Sequence, residues 1–244
     1  MKNAYFYTCN SSMAHKITQQ ILLTVDAVVF GYSQGQGVSV LLIKRKIKPF
    51  KDSWALPGGF VHDKESLEDA VMRELQEETG ISVQYLEQLY TFGGVGRDPR
   101  SRVVSVAYFA LVKSSEFTLL AATDAAEAEW FNIEELPVLA FDHGVIINKA
   151  IERLRAKITY EPIGFELLDR KFLFSDLEQL YVKLLGYDID RRNFKRKMMS
   201  LGLVQQLDEV VASSTAGRPG KLYSFDKKKY KELKVSGFDL LKLI

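Results

Sequence analysis

With 244 residues, 47% hydrophobic and 26% charged, the chain has a globular composition and enough length for one large domain or two smaller ones. Collagenous, low-complexity and disordered classes are thereby excluded. A lone cysteine, Cys9, cannot close an intrachain disulfide, and the N-terminus lacks a secretory apolar core. The apolar run at 21–30 is about half a membrane span and carries Asp26, so a soluble, cytoplasmic protein with no membrane partner is expected. The net charge of +2 hides an asymmetry: residues 1–150 hold 14 Lys+Arg against 18 Asp+Glu, and residues 151–244 hold 19 against 13. An acidic half suits cations and a basic half suits a polyanion.

In chain order, ILLTVDAVVF and VSVLLIKR are β-branched runs joined by the glycine-rich GYSQGQG, the pattern of a strand hairpin. Pro57, Gly58 and Gly59 interrupt regular structure after Trp54. A helix is predicted over about 66–79, stopped by Gly80 in a C-capping position. Strands are expected at 86–92, 103–112 and 129–132, and a further helix at about 145–157. Tyr160-Glu-Pro-Ile-Gly164 carries two chain breakers and sets the expected division into 1–158 and 159–244. Beyond it, Ser175-Asp-Leu-Glu178 reads as a capping box opening a helix with Leu177, Leu180, Tyr181 and Leu184 on one face, ended by Gly186. A second helix carries Phe194, Met198 and Leu201 and ends at Gly202. The strand VVASS, the loop TAGRPGK and the strand LYSFD then complete a helix-turn-helix with a β-hairpin wing.

The chemistry concentrates at 59–81. In the predicted helix Leu67, Ala70, Val71 and Leu75 define an apolar arc, and Glu74 and Glu78, four residues apart, fall inside it. Carboxylates turned toward a core need compensation, which a divalent cation supplies, and hard oxygen donors without His or Cys favour Mg2+ or Mn2+. Glu77 lies on the same rim and Arg73 can orient a carboxylate. The 23 residues from Gly59 to Ile81 resemble the Nudix box, G-x5-E-x7-R-E-U-x-E-E-x-G-U with U aliphatic, at all nine constrained positions. The resemblance implies metal-assisted binding or hydrolysis of a diphosphate linked to another group. Glu74 and Glu78 would then be the main metal ligands, joined by the Gly59 carbonyl and with Glu77 beside them, and Glu65 and Arg73 would support them through salt bridges. The box does not supply a general base; Asp124, Glu127 and Glu129 are the candidates.

Phe92-Gly93-Gly94 and Arg97-Asp98-Pro-Arg100 form a glycine-rich loop with two arginines able to meet phosphate bidentately, with Arg45 a further candidate for the same ligand. This segment resembles that of ADP-ribose-type Nudix domains. His143 is expected to start or pack a helix rather than catalyse. In the basic half, Arg191 with Lys195 and Arg192 with Arg196 are i, i+4 pairs of like charge that phosphates would relieve. At a helix N-terminus arginine can read guanine and Asn193 adenine, while Arg218 and Lys221 sit at the wing.

Taken together, a Nudix box followed by EPIGFELL, RRNFKRKM and GRPGKLYSF resembles the Nudix-related transcriptional regulators, NrtR. That resemblance implies an α+β chain, with a Nudix fold (mixed β-sheet plus Nudix helix) followed by a winged helix-turn-helix. It also implies a homodimeric repressor of NAD-metabolism genes on a palindromic double-stranded operator, modulated by an ADP-ribose-like nucleotide. The intact box keeps a second reading open, an ADP-ribose pyrophosphatase with a basic appendage. A third makes the C-terminal unit a protein-docking module.

Overall fold

A computed structural model describes residues 20–33, 37–113, 128–211 and 220–235. Its N-terminal part is built on β1 (Leu22–Ser33) and β2 (Gly37–Lys44), which pair antiparallel from Phe30↔Val40 to Ser33↔Gly37, the hairpin expected from their sequence. WALPGGF, read as irregular, contains two short strands, β3 (Trp54–Ala55) and β4 (Gly58–Phe60). They flank the breaker Pro57, which explains why no run long enough to read as a strand appears in the sequence. After helix α1 (Leu67–Thr79) come β5 (Tyr85–Phe92), β6 (Val103–Lys113) and β7 (Ala128–Asn132). All seven strands form one mixed sheet of order β3-β2-β1-β6-β5, with β4 paired to β1 and β7 to β2. β1 and β6 run parallel from Leu22↔Val103 to Tyr32↔Lys113.

β1 reads as a continuous apolar run because both of its faces are covered. Val25, Ala27 and Val29 lie under Ala70, Val71 and Leu75 of α1. Val28, Phe30 and Tyr32 point to the opposite face, beneath helix α2 (His143–Tyr160). α1 is set by its ends: the Ser66 hydroxyl accepts from the Asp69 N–H at 3.1 Å, and Gly80 closes the helix at φ 70°.

A 3-10 turn (Ile163–Leu167) leads from α2 to β8 (Lys171–Leu173), helix α3 (Phe174–Leu185) and helix α4 (Arg191–Ser200). β9 (Val204–Val211), β10 (Gly220–Phe225) and helix α5 (Lys227–Val235) follow, and β8-β10-β9 form an antiparallel sheet. The fold is thus the expected mixed-sheet domain followed by a winged helix. Local corrections concern its edges. α3 starts before Ser175, and its opening N–H, that of Leu173, donates to Asp176 Oδ2 at 3.1 Å, so the cap is an aspartate rather than a Ser175–Glu178 pair. The first wing strand begins at Val204, six residues before VVASS, and neither β8 nor the lysine-rich α5 was anticipated.

The two parts share one hydrophobic core. Phe30 and Val40 of the sheet, Ile147 and Leu154 of α2, Leu177 and Tyr181 of α3, and Phe194 and Met198 of α4 belong to a single buried cluster. Gly164 permits the junction: a Cβ there would lie 3.2 Å from Ile158 Cδ1 and 3.3 Å from Leu180 Cδ2. The Arg155 guanidinium of α2 donates from Nε to the Leu184 carbonyl at the end of α3, at 2.9 Å.

Candidate functional site

β1 changes antiparallel partner midway. Thr24, Val25 and Asp26 face Phe60, Gly59 and Gly58 of β4, whereas Phe30 to Ser33 face β2. Where those partners diverge lies a cavity of about 470 Å³, within the size range of small-molecule sites. Its wall includes Asp26, Arg45, Gly59, Glu78, Arg97, Asp98, Arg100, Phe141 and His143. Gly58 is needed for close approach, since a Cβ there would run into the Val25 backbone carbonyl, while a Cβ on Gly59 would displace the carboxylate of Glu74.

Arg73 organises the acidic residues of the box. Its Nε and Nη2 take the two oxygens of Glu65 at 3.0 and 2.8 Å, and its Nη1 reaches Glu74 at 2.8 Å and Glu77 at 3.2 Å. Nη2 also donates to the Phe60 carbonyl at 3.1 Å, which ties the helix to β4. The hydrogen bonds from Arg73, aided by the His62 N–H, pull Glu65 down to about 2. Glu77 points outward, 60% exposed, while Glu74 is only 13% exposed. Glu78 accepts from the Gly58 N–H at 2.9 Å. Burial pushes its carboxyl up to about 8 against that bond, with the Glu74 and Asp26 charges adding to the rise.

Among the described residues no group of three or more His, Cys, Asp or Glu side chains gathers as a metal cluster. The residues nonetheless suit a hard cation that retains water. Glu74 sits against Gly59, Glu78 is a half-buried carboxylate that feels the charges of Glu74 and Asp26, and Mg2+ ordinarily takes one or two carboxylates and keeps several waters.

A buried polar cluster that sequence reasoning missed lies along the wall. Asp26 accepts from the Ser105 hydroxyl and from Arg97 Nη2, the latter at 3.3 Å. His143, first residue of α2, accepts at Nδ1 from the Leu56 N–H at 2.8 Å, and its Nε2 lies 3.6 Å from Asp26 Oδ1. Because Nδ1 accepts a backbone N–H it carries no proton, which leaves the ring proton on Nε2, facing Asp26, and burial lowers the imidazole below its usual range. The available signal was a single aspartate inside an apolar strand, which the sequence reading used only against a membrane span.

Of the predicted ligand residues, Arg45, Arg97, Asp98 and Arg100 border the cavity, and Phe92, Gly93 and Gly94 do not. Phe92 ends β5, and the Gly94 carbonyl accepts from Arg102 Nη1 at 3.2 Å. Arg97 does not stand open to a ligand: it is 6% exposed and grips Asp142 bidentately, Nη2 to Oδ1 at 2.7 Å and Nε to Oδ2 at 3.0 Å. Arg100 closes on Asp98 at 2.7 Å. Arg45 donates Nε to the Pro49 carbonyl at 3.0 Å and makes no ion pair among the described residues. Of the general-base candidates, Glu129 is exposed on β7 opposite Leu42, and Asp124 and Glu127 lie outside the described residues.

In the winged helix, Asp190 caps α4 by accepting from the Asn193 N–H at 2.9 Å, which fixes the helix start that presents the basic residues. Arg191 pairs with Glu178 at 2.8 Å, and Arg196 Nη2 donates to Asn193 Oδ1 at 2.8 Å. Lys195 turns inward: its Nζ donates to the Tyr223 hydroxyl at 2.7 Å and lies 5.2 Å from the Phe174 ring centroid. Arg192 and Lys221 are exposed, and Arg218 lies outside the described residues.

Residues 22–154 match the model of the NUDIX domain, and residues 164–225 match that of the NrtR DNA-binding winged helix domain. The chain is 37% identical over 209 residues to the ADPR responsive transcriptional repressor NtrR of Acinetobacter baylyi, covering 84% of this chain and 82% of that one. It is similar to the crystal structure of Shewanella oneidensis NrtR complexed with a 27mer DNA, at TM-score 0.74 and 34% identity over 86% of this chain and 95% of the other. The NUDIX domain of the same Shewanella protein, cocrystallised with ADP ribose, is 38% identical at TM-score 0.51, covering 59% of this chain and 95% of that one. A complete Nudix box, a cavity at its helix and a winged helix matched by its own family model agree with these likenesses: the chain belongs to the NrtR family, a Nudix domain joined to an NrtR-type DNA-binding winged helix.

Proposed function

We propose that the chain is a DNA-binding transcriptional repressor whose hold on DNA is modulated by ADP-ribose, or a related nucleotide, bound in the Nudix cavity. The observation that carries this reading is the likeness, across 86% of the chain, to an NrtR captured on DNA. The shared core gives it a physical route. Packing that joins β1 and α2 to α3 and α4 transmits displacement, because close-packed interiors shift between discrete arrangements rather than deform freely.

In this reading Glu74, Glu78 and the Gly59 carbonyl hold Mg2+ or Mn2+, and Glu65 and Arg73 fix the ligating helix. When bound, the cation neutralises the diphosphate of the ligand. Arg45 meets an anionic group, Arg97 and Arg100 exchange an acid partner for phosphate, and Asp98 holds Arg100 until then. The loop that starts at Phe92, Gly93 and Gly94 carries Arg97 and Arg100. Arg192, with Arg191, Asn193, Lys195, Arg196, Lys221 and Arg218, faces DNA, Lys195 from its anchored position. In this reading the chain works as a homodimer on a palindromic operator, in which two-fold protein symmetry matches two half-sites. Cytoplasmic location, NAD-metabolism genes as targets and a division at 158/159 belong to the same reading.

A second reading rests on Glu78 in the cavity wall, with Glu74 against the neighbouring Gly59: the same site also hydrolyses ADP-ribose to AMP and ribose 5-phosphate. One experiment addresses both. The purified protein is titrated onto a duplex it has itself selected from a random pool, with Mg2+ and increasing ADP-ribose, while AMP is assayed in the same tubes. Loss of DNA binding that tracks ADP-ribose supports the repressor, and unchanged DNA binding with steady AMP release supports the hydrolase alone.

A further inference from the structure

Phe141, which lines the cavity, and Phe50, whose ring packs against it, hold left-handed backbone conformations, at φ 50° and φ 60°. A bulky residue seldom adopts this region, and such strain persists only where surrounding structure over-determines it. Both sides of Phe141 are pinned: the Ala140 N–H donates to the Trp54 carbonyl at 2.8 Å, and His143 takes the Leu56 N–H. Phe50 sits in a loop closed on Arg45, whose N–H and carbonyl bond Ser53 and Asp52 at 3.0 and 2.8 Å. Two separate loops therefore bring two strained phenylalanines together, with ring centroids 4.8 Å apart and edge to face.

Charge surrounds this pair. The Arg45 guanidinium lies 4.7 Å from the Phe141 centroid, and Arg100 lies 5.7 Å from Phe141 and 5.6 Å from Phe60. Phe50 and Phe60 leave 43% and 41% of their surface exposed, although solvent is the wrong neighbour for a phenyl ring. A planar guanidinium resting on a ring occupies the place of any other flat, polarisable group, and a purine is such a group. Phe141, Arg45, Arg100 and Glu78 line the same cavity, so a ligand whose diphosphate is held near Glu78 has the Phe141 ring within the same enclosure.

We infer that Phe141, backed by Phe50, is the platform on which the nucleobase of the ligand stacks, with Arg45 and Arg100 moving aside to flank the base. The inference rests on the nucleotide reading above and deepens it. It makes Phe141 the residue by which the cavity prefers nucleoside diphosphates over phosphorylated sugars that lack a base.

The test is calorimetric titration of full-length protein with Mg2+ and three probes: ADP-ribose, ADP, which retains the base, and ribose 5-phosphate, which lacks it. Phe141→Ala and Phe141→Leu should weaken ADP-ribose and ADP about 10-fold to 100-fold and leave ribose 5-phosphate unchanged, whereas Phe141→Trp should restore the two base-containing probes. The leucine variant keeps apolar bulk and the tryptophan variant keeps a ring, so a folding defect would weaken all three probes and give no rescue. Equal weakening of all three, or none, overturns the inference. Wild-type protein that ignores ADP-ribose but loses ADP on Phe141→Ala would overturn the proposed effector and uphold the platform.

Discussion

Arg97 and Asp142 meet through two parallel N–H···O bonds of 2.7 and 3.0 Å, joining the loop at the cavity to the residue that precedes α2. α2 runs 18 residues from there to Tyr160, where the chain turns into the winged helix. A phosphate that competes for Arg97 therefore acts on the N-terminal end of the element whose other end leads into the DNA-binding part. In the absence of ligand, Asp142→Ala leaves Arg97 with Asp26 alone and should cost about 1–3 kcal/mol of stability. In urea unfolding the midpoint should fall without a change in slope. The same variant should show a smaller effect of ADP-ribose on DNA affinity than wild type, and an undiminished effect would remove Asp142 from the coupling route.

The metal ligands are tested by charge deletion at constant shape. Glu78→Gln and Glu74→Gln should retain the fold and lose at least 10-fold in Mg2+-dependent ADP-ribose affinity, with little change in EDTA. Equal Mg2+ dependence in variant and wild type would contradict the assignment. Glu77→Gln should have a smaller effect, because Glu77 is mostly exposed and turned toward Arg73.

Tyr181 offers a stability test at the junction. Its hydroxyl is fully buried and has no hydrogen-bond partner among the described residues, while its ring packs 4.8 Å from that of Phe194. An unpaired buried hydroxyl is a cost, so Tyr181→Phe should stabilise the protein by about 1 kcal/mol and raise Tm by a few degrees. A lowered Tm would mean that the hydroxyl is paired in solution.

The DNA surface is read by salt. Arg192→Ala should weaken DNA binding uniformly across sequences and reduce the slope of log K against log salt by about 1. Lys195→Ala should behave differently. The ammonium group is bonded to Tyr223 and lies over the rings of Phe174 and Tyr223, so its loss should also lower Tm. If Lys195→Ala changes only the salt slope, Lys195 leaves its aromatic seat to reach phosphate.

The parts legible in the sequence were those encoded locally. The Nudix helix announced itself through Ser66, Gly80 and the two glutamates on its apolar arc, and α4 through Phe194 and Met198. What was not legible depends on distant residues. Asp26, Ser105, Arg97 and His143 converge from four separate segments, and no local pattern marks that meeting. The loop arginines read as candidate ligand groups, but the acid partner of Arg97 does not show in the sequence, because Asp142 lies 45 residues away. β3, β4 and β8 have two or three residues each, too short for periodicity to show. The start of α3 was misplaced because Ser175 fits an N-cap pattern, whereas the helix begins at Phe174 and Asp176, in its third position, bonds back to the Leu173 N–H.

The central claim is that nucleotide and DNA binding are coupled through one chain, and thermodynamic linkage gives it a two-sided signature. The direct measurement is the ADP-ribose dissociation constant of full-length protein with Mg2+, taken with and without saturating selected duplex. The account predicts that DNA weakens ADP-ribose by the same factor by which ADP-ribose weakens DNA, about 5-fold to 150-fold for a typical coupling. An ADP-ribose affinity unchanged by DNA would contradict it.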